Sequence, residues 1–313
     1  MKPSQFGRAA LSCVAAALLA GCGGSQTPVG APRAQEAFGK GAFQAASDKD
    51  YLYISDDGAY RIKVLTFPGG KPIRRFPGAG WLCTNPKSGN LYASYDGLTE
   101  YAPGGSSKMG EAQYPQGSAL RGCAVDPTTG SVAVVGSEGY SKEAVVLVYR
   151  SIDKKPKVYA DSNFYRFLFC GYDGQGNLFI DDASNVLFEL PAGKTEITNI
   201  TFSVGKHVFA GTVQFDGTHI TAEDPFYYPT IFRLSVSGSQ GTVVGVTRLG
   251  SPHPFRFEKY TWIDKNTVLG SWGGTPKRYA LGYWYYPKGG GPPFRLLDKL
   301  HPDFIATGIT SGE

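Results

Sequence analysis

The stretch Val64-Leu65-Thr66-Phe67-Pro68-Gly69-Gly70 decides the fold, because its pattern of an apolar strand followed by Pro and Gly returns along the chain. Three more copies occupy residues 98–105, 186–193 and 284–290. Their prolines are separated by 35, 88 and 96 residues, which is one repeat unit and then two pairs of units. A period of ~40–50 residues built from short strands is typical of a β-propeller.

Turns rich in Asp, Asn and Gly precede a second strand in each unit and bring the count of units to six. They lie at 48–50, 85–89, 126–130, 173–176, 216–217 and 264–266. These residue types tolerate the left-handed backbone that tight hairpins require. We therefore predict an all-β fold, a six-bladed β-propeller of four-stranded antiparallel blades. A further strand at 304–309 is expected to complete the first blade, and the sequence leaves open which strand it joins.

The N-terminus has the features of an export signal. Lys2 and Arg8 precede an apolar run at 9–20, which is shorter than the ~20 residues that a bilayer requires. The run ends in Leu19-Ala20-Gly21-Cys22, which resembles the lipobox of bacterial lipoproteins. That resemblance implies that Cys22 is lipidated and becomes the mature N-terminus. We expect a signal peptide at 1–21, the lipidated cysteine and a flexible tether at 22–42, and the propeller at 43–313.

The same resemblance gives an expected location and a first partner, the membrane that holds the lipid. Gly24 stands where an aspartate would favour retention in the inner membrane, so the outer membrane of a Gram-negative cell is the expected location. The net charge is +5, of which Lys2 and Arg8 contribute two. The remaining charge is too small and dispersed for a nucleic-acid partner.

Two segments carry a family resemblance. Residues 122–134, which read Gly-Cys-Ala-Val-Asp-Pro-Thr-Thr-Gly-Ser-Val-Ala-Val, resemble the first hairpin of NHL-type repeats. Residues 52–64 resemble the continuation of that repeat into its third strand. The resemblance covers roughly residues 43–300 and implies the same propeller fold.

Three cysteines remain after the export segment: Cys83, Cys123 and Cys170. They occupy equivalent positions in successive units, and equivalent strands of neighbouring blades are expected to lie farther apart than the ~7 Å that a disulfide tolerates. We therefore predict that they form no disulfide. They are expected to be small buried core residues, with a three-thiolate metal site as the alternative.

Carboxylates follow the second strand of most units and could meet at one mouth of the central channel. Hard oxygen ligands arranged in a ring would suit Ca²⁺. The simpler interpretation is that these residues end strands and build turns. The candidate metal ligands are Asp56, Asp57, Asp96, Glu138, Asp181 and Asp182, with Glu223 and Asp224 at the same place in the fifth unit.

Aromatic residues between strands form a candidate ligand-binding segment at 225–229. Tyr227 and Tyr228 could stack on a carbohydrate or anchor an envelope protein. The alternative is a loop that packs against its neighbour.

No catalytic set stands out, so the expected function is that of a cell-envelope lipoprotein with a binding or scaffolding propeller. The alternative is a hydrolase that resembles gluconolactonase-type lactonases, with a divalent ion in the channel. That family requires a Glu on an inner strand, and none is evident in this sequence. A structural role in an envelope assembly is a third possibility.

Overall fold

The computed structural model describes residues 50–105, 107–115, 118–138, 143–182, 184, 186–202, 211–224, 229–250, 261–273, 279–300 and 304–308. All of them belong to the unit Phe43–Glu313. Their strands form six sheets, and each sheet has a core of four antiparallel strands. The predicted six-bladed β-propeller is therefore confirmed. Within these ranges no helix has the length and apolar character needed to cross a membrane.

Each blade is numbered from its first strand, which lies at the channel, to its fourth strand at the outside. Blade 1 contains β25 (Phe304–Gly308), β1 (Asp50–Asp56), β2 (Arg61–Phe67) and β3 (Pro72–Pro77). Blade 2 contains β4 (Trp81–Thr84), β5 (Leu91–Ser94), β6 (Gly97–Tyr101) and β7 (Lys108–Gln113). Blade 3 contains β8 (Ser118–Val125), β9 (Val132–Glu138), β10 (Glu143–Tyr149) and β11 (Lys157–Tyr165).

The other three blades follow the same plan. Blade 4 contains β12 (Phe167–Tyr172), β13 (Leu178–Asp182), β14 (Leu187–Leu190) and β15 (Thr198–Asn199). Blade 5 contains β17 (Val213–Phe215), β18 (Ile220–Asp224), β19 (Thr230–Ser237) and β20 (Gln240–Arg248), and the short β16 (Thr201–Phe202) adds a parallel strand at its outer edge. Blade 6 contains β21 (Thr261–Asp264), β22 (Thr267–Gly273), β23 (Tyr279–Tyr285) and β24 (Arg295–Asp298).

The ring is closed by the C-terminal strand. β25 pairs antiparallel with β1, with Ile305 opposite Ile54, and so becomes the first strand of blade 1. This answers the question that the sequence left open. β25 also contacts β4 on one side and β21 on the other, so the first strands form a continuous wall around the channel.

The repeated Pro-Gly turns follow the third strand of blades 1, 2, 4 and 6, and two of them join neighbouring blades. In blade 1 the carbonyl oxygens of Pro68 and Gly69 accept hydrogen bonds from Arg295 of blade 6, at 2.8 and 2.6 Å. In blade 2 the Gly104 amide donates to the hydroxyl of Tyr53 in blade 1, at 2.8 Å. The Pro-Gly motif that defines the repeat therefore also connects adjacent blades through hydrogen bonds.

The cysteine prediction is wrong for two of the three residues. Cys83 of β4 and Cys123 of β8 form a disulfide, with their Cα atoms 5.8 Å apart. Propeller blades converge on the axis, so their first strands approach much more closely than their outer strands. Because two of the three sulfurs are bonded to each other, the three-thiolate alternative is also wrong. Cys170 of β12 is a buried free thiol, as expected.

Candidate functional site

A cavity of about 360 Å³ occupies the channel at the end where the first strands finish. Its walls come from five of the six first strands and from the turns that follow them. Tyr172, Phe215 and Trp262 are among the lining residues, together with apolar residues and the two cysteines of the disulfide, and each of the three aromatic residues also packs in part against an apolar cluster. We name this cavity the cup.

The channel narrows sharply towards the starts of the first strands. There the free space falls to about 50 Å³. The rings of Trp81 in blade 2 and Phe169 in blade 4 meet edge to face, with centroids 4.7 Å apart. These two rings come from blades that are not neighbours, so they contact each other across the channel and leave the cup a narrow inner end.

Two glycines bring the walls of the channel close together. A Cβ on Gly122 of β8 would lie 2.8 Å from the carbonyl oxygen of Leu168, and one on Gly171 of β12 would lie 2.5 Å from that of Val213. Any larger residue would therefore push neighbouring first strands apart. The closeness of these strands sets the width of the cup.

Blades 5 and 6 are joined at the channel by side chains. The Gln214 amide nitrogen donates to the Thr261 carbonyl at 2.7 Å, and its oxygen accepts from the Ile263 amide at 2.8 Å. The Gln214 side chain thus satisfies a backbone carbonyl and a backbone amide of β21, as the backbone of a paired strand would. Gln214 also lines the cup, so its position is fixed at the wall.

Glu223 completes the same joint from behind the wall. Its Oε2 accepts from the Thr212 hydroxyl at 2.9 Å and from the amide and hydroxyl of Thr261 at 3.2 and 3.0 Å. The residue is 1% exposed, and its Oε1 has no hydrogen-bond partner among the residues that the structure describes. Burial raises the pKa of this carboxyl, and the hydrogen bonds from Thr212 and Thr261 offset only part of the rise.

Aspartates surround the mouth of the cup. Three of them stand directly after the first strands of blades 3–5, and the fourth is the last residue of the first strand of blade 6. Each heads a turn that joins a first strand to a second strand, and we name these turns, which occur in blades 2–6, the inner turns. Asp126, for example, accepts from the Thr128 amide at 2.8 Å and the Thr129 hydroxyl at 2.7 Å. Burial raises the pKa of Asp126, but these hydrogen bonds outweigh it and hold the pKa below its usual value. The four residues are Asp126, Asp173, Asp216 and Asp264.

The carboxylates predicted as metal ligands lie on the opposite face, where the second strands end. Asp56 forms ion pairs with Arg61 at 3.1 Å and Lys63 at 3.0 Å. Burial alone would raise the pKa of Asp56, but the two cations outweigh it and lower the pKa. Asp57 accepts from the Gly80 amide at 2.8 Å, where the chain enters blade 2, and Asp96 is exposed.

The remaining predicted ligands are also placed by backbone contacts. Asp181 is buried and accepts from the Phe169 amide at 2.6 Å. Asp182 accepts from the amides of Ser184 and Val186, at 2.8 and 3.0 Å, and burial raises its pKa. Glu138 ends β9, and its carboxylate lies outside the described part of the structure. Within the described ranges no three His, Cys, Asp or Glu side chains are grouped so that they could hold a metal ion, and the Ca²⁺ site stays a prediction.

Three other predicted residues lie outside the described ranges. They are Cys22, the expected lipidation site, and Tyr227 and Tyr228, the expected ligand-binding pair. Their roles stay predictions.

Sequence reasoning missed the cup. Its aromatic residues are single members of first strands, and Trp81 and Phe169 are far apart in sequence, so no local pattern brings them together. One signal is present in the sequence: an aspartate ends or directly follows the first strand in blades 3–6. Turn chemistry alone explains an aspartate at this position, although the same position places a charge near the end of the channel that holds the cup.

The fold and the cup define the class of this chain as a six-bladed β-propeller with a narrow-ended cavity in its channel. It is similar to a functionally unknown protein from Desulfotomaculum acetoxidans DSM 771, with a TM-score of 0.52 and 12% identity over 84% of this chain and 87% of that one. It is also similar to a structure described as U3-55K, with a TM-score of 0.54 and 8% identity over 75% and 73% of the two chains. No family model and no curated protein matches the sequence. At these identities the likeness concerns the fold alone.

Proposed function

We propose that this chain is a binding protein of the bacterial cell envelope and that its propeller holds a small ligand in the cup. The observation that carries the proposal is the cup itself. Small-molecule sites are concave, mostly apolar and largely preformed, with a few polar groups that fix orientation. A volume of about 360 Å³ with aromatic walls and a polar rim fits that description.

The joints around the cup support a preformed site. Gln214, Glu223 and the disulfide each connect first strands or the strands directly behind them. A wall that is already fixed has little conformational entropy to lose when a ligand binds. In such a protein the rigid scaffold holds the binding residues in position for the ligand.

Filling the cup tests this proposal. Thr84 lies in the wall, and Thr84→Trp adds an indole ring there. We expect at least a tenfold loss of affinity for small molecules that wild type selects from a fragment mixture, measured by ligand-detected NMR. The matched control is Thr242→Trp on the exposed side of β20, which should bind as wild type does. Equal binding by wild type and Thr84→Trp would contradict a site in the cup.

Export and lipid anchoring at Cys22 form the second part of the proposal. The Cys83–Cys123 disulfide supports it, because disulfides persist in oxidising compartments outside the cytoplasm. The resemblance to a lipobox gives the position of the anchor. We also propose, from the resemblance of residues 52–64 and 122–134, that the blades are NHL-like repeats.

A cysteine substitution separates anchoring from folding. With Cys22→Ala, we expect the protein to move from the membrane fraction to the soluble fraction and to lose incorporation of labelled fatty acid. Cys13→Ala, within the same segment, should leave both unchanged. Fatty-acid labelling that persists in Cys22→Ala would overturn the assignment.

A lactonase-like hydrolase is the alternative function. The six first strands carry one carboxylate, Asp264, in their described residues, where that resemblance requires a Glu. Metal analysis of the purified protein would reverse the order if it showed one tightly held divalent ion for each chain.

A further inference from the structure

We infer that the cup selects a small organic cation, a protonated amine attached to an aromatic or aliphatic body. The inference rests on the proposed function and adds the chemical class of the ligand. Its basis is the combination, in one cavity, of a negatively charged mouth and aromatic walls.

The charge at the mouth is opposite to that of the chain. The whole chain carries a net charge of +5. In contrast, the inner turns and the first residue of β1 contribute five aspartates against two lysines, Lys87 and Lys265, within the described ranges. Two of the aspartates, Asp50 and Asp264, line the cup itself together with Lys265, so the charged residues of the lining carry a net charge of −1. The five are Asp50, Asp126, Asp173, Asp216 and Asp264.

These charges are held in place. Asp216, for example, accepts from the amides of Thr218 and His219 at 2.8 and 2.7 Å and from the Tyr286 hydroxyl at 2.6 Å. A carboxylate bound in this way keeps its negative charge near the mouth. Charges of one sign around a cleft with low-dielectric walls focus the field and raise the local concentration of the opposite ion.

The walls add a second preference for a cation. Tyr172, Phe215 and Trp262 are partly buried between blades and also line the same cavity, and an aromatic ring attracts a positive charge that approaches its face. A neutral apolar ligand would gain the burial but not this attraction. An anion would gain the burial and meet the repulsion of the aspartates.

The shape limits the size of the ligand. The contact between Trp81 and Phe169 narrows the channel at the far end of the cup, so a polymer does not pass through. A volume of about 360 Å³ corresponds to a small molecule. We therefore commit to a free amine and not to a lysine side chain of a protein partner.

Three probes with nearly the same body test the charge. They are 2-phenylethylamine, 2-phenylethanol and phenylacetate, titrated into the full chain by calorimetry at neutral pH. We expect the amine to bind at least tenfold more tightly than the alcohol and the anion to bind most weakly. Raising the salt concentration should weaken the amine and leave the alcohol unchanged.

Charge-removing variants locate the effect. Asp50→Asn and Asp264→Asn should each reduce amine affinity several-fold and leave the alcohol unaffected. Asp298→Asn on the exposed outer strand β24 is the control and should bind the amine as wild type does. Thr84→Trp should abolish binding of every probe.

The outcomes distinguish the two claims. If the alcohol or the anion binds as tightly as the amine, and Thr84→Trp still blocks it, the cup binds ligands but the cationic class is wrong. If the amine binds equally to wild type and Thr84→Trp, the ligand lies elsewhere and the proposed function fails as well. If no probe binds while the fragment mixture still yields ligands of the cup, the cationic class alone is overturned.

Discussion

Loss of the Cys83–Cys123 disulfide should lower the free energy of unfolding by about 4 kcal/mol. The bond closes a loop with a sequence separation of 40 residues, and a crosslink of that span restricts the unfolded chain by roughly this amount. It also joins the first strands of blades 2 and 3 at the wall of the cup. Urea denaturation of Cys83→Ala, Cys123→Ala and the double variant measures the effect.

The control is built into the series. Either single substitution already removes the crosslink. The free energy of unfolding of the double variant should therefore lie within about 1 kcal/mol of that of the less stable single variant. A reducing agent should destabilise wild type and leave the double variant unchanged. If the reducing agent leaves wild type as stable as before, the disulfide does not hold the two blades together in solution.

Glu223→Ala should cost about 3 kcal/mol, the second of the two largest losses. The substitution leaves the buried amide of Thr261 and the hydroxyls of Thr212 and Thr261 without their acceptor, and it creates a cavity between blades 5 and 6. Glu223→Gln retains an acceptor oxygen and should cost about 1 kcal/mol. A loss in Glu223→Ala no larger than that in Glu223→Gln would mean that the joint does not depend on this side chain.

Wild type and Glu223→Gln should also differ in how their stability depends on pH, and the sign of that difference follows from the burial of Glu223. The folded pKa of Glu223 is raised above the value of 4.5 that an unperturbed Glu has. Between the two pKa values the folded state keeps the proton that the unfolded state has lost, so wild type loses stability as the pH rises above 4.5. The stability advantage of wild type over Glu223→Gln should therefore shrink from pH 4 to pH 8. An advantage that grows over that range would show an ionised carboxylate stabilised by the fold.

The architecture was predictable because it depends on local chemistry. The Pro-Gly motif follows the third strand of a blade wherever it occurs. Each turn that begins with Asp or Asn forms a hairpin of fixed register between first and second strands. Pro68 and Gly69 illustrate the limit of that reasoning. Their role as a turn is local, whereas their bonds to Arg295 join the first blade to the last and have no signature in the sequence.

The site was less predictable because it depends on distances across the ring. Cys83 and Cys123 lie within bonding distance because first strands converge near the axis, and strand spacing cannot be obtained from residue spacing. Asp181 shows the same limit. The sequence predicts its place at the end of a second strand, but not that it is buried and accepts a hydrogen bond from the Phe169 amide of its own blade. Aspartates at the ends of first strands and of second strands lie on opposite faces of the propeller and make different contacts.

The most direct test of the cup as the binding site is a crystal structure of the protein soaked in the fragment mixture. The structure described above predicts a bound molecule in the channel, against Trp262, Tyr172 and Phe215 and on the wide side of the Trp81–Phe169 contact. Crystals in which every bound molecule lies outside the channel, with the cup accessible to solvent and empty, would contradict it.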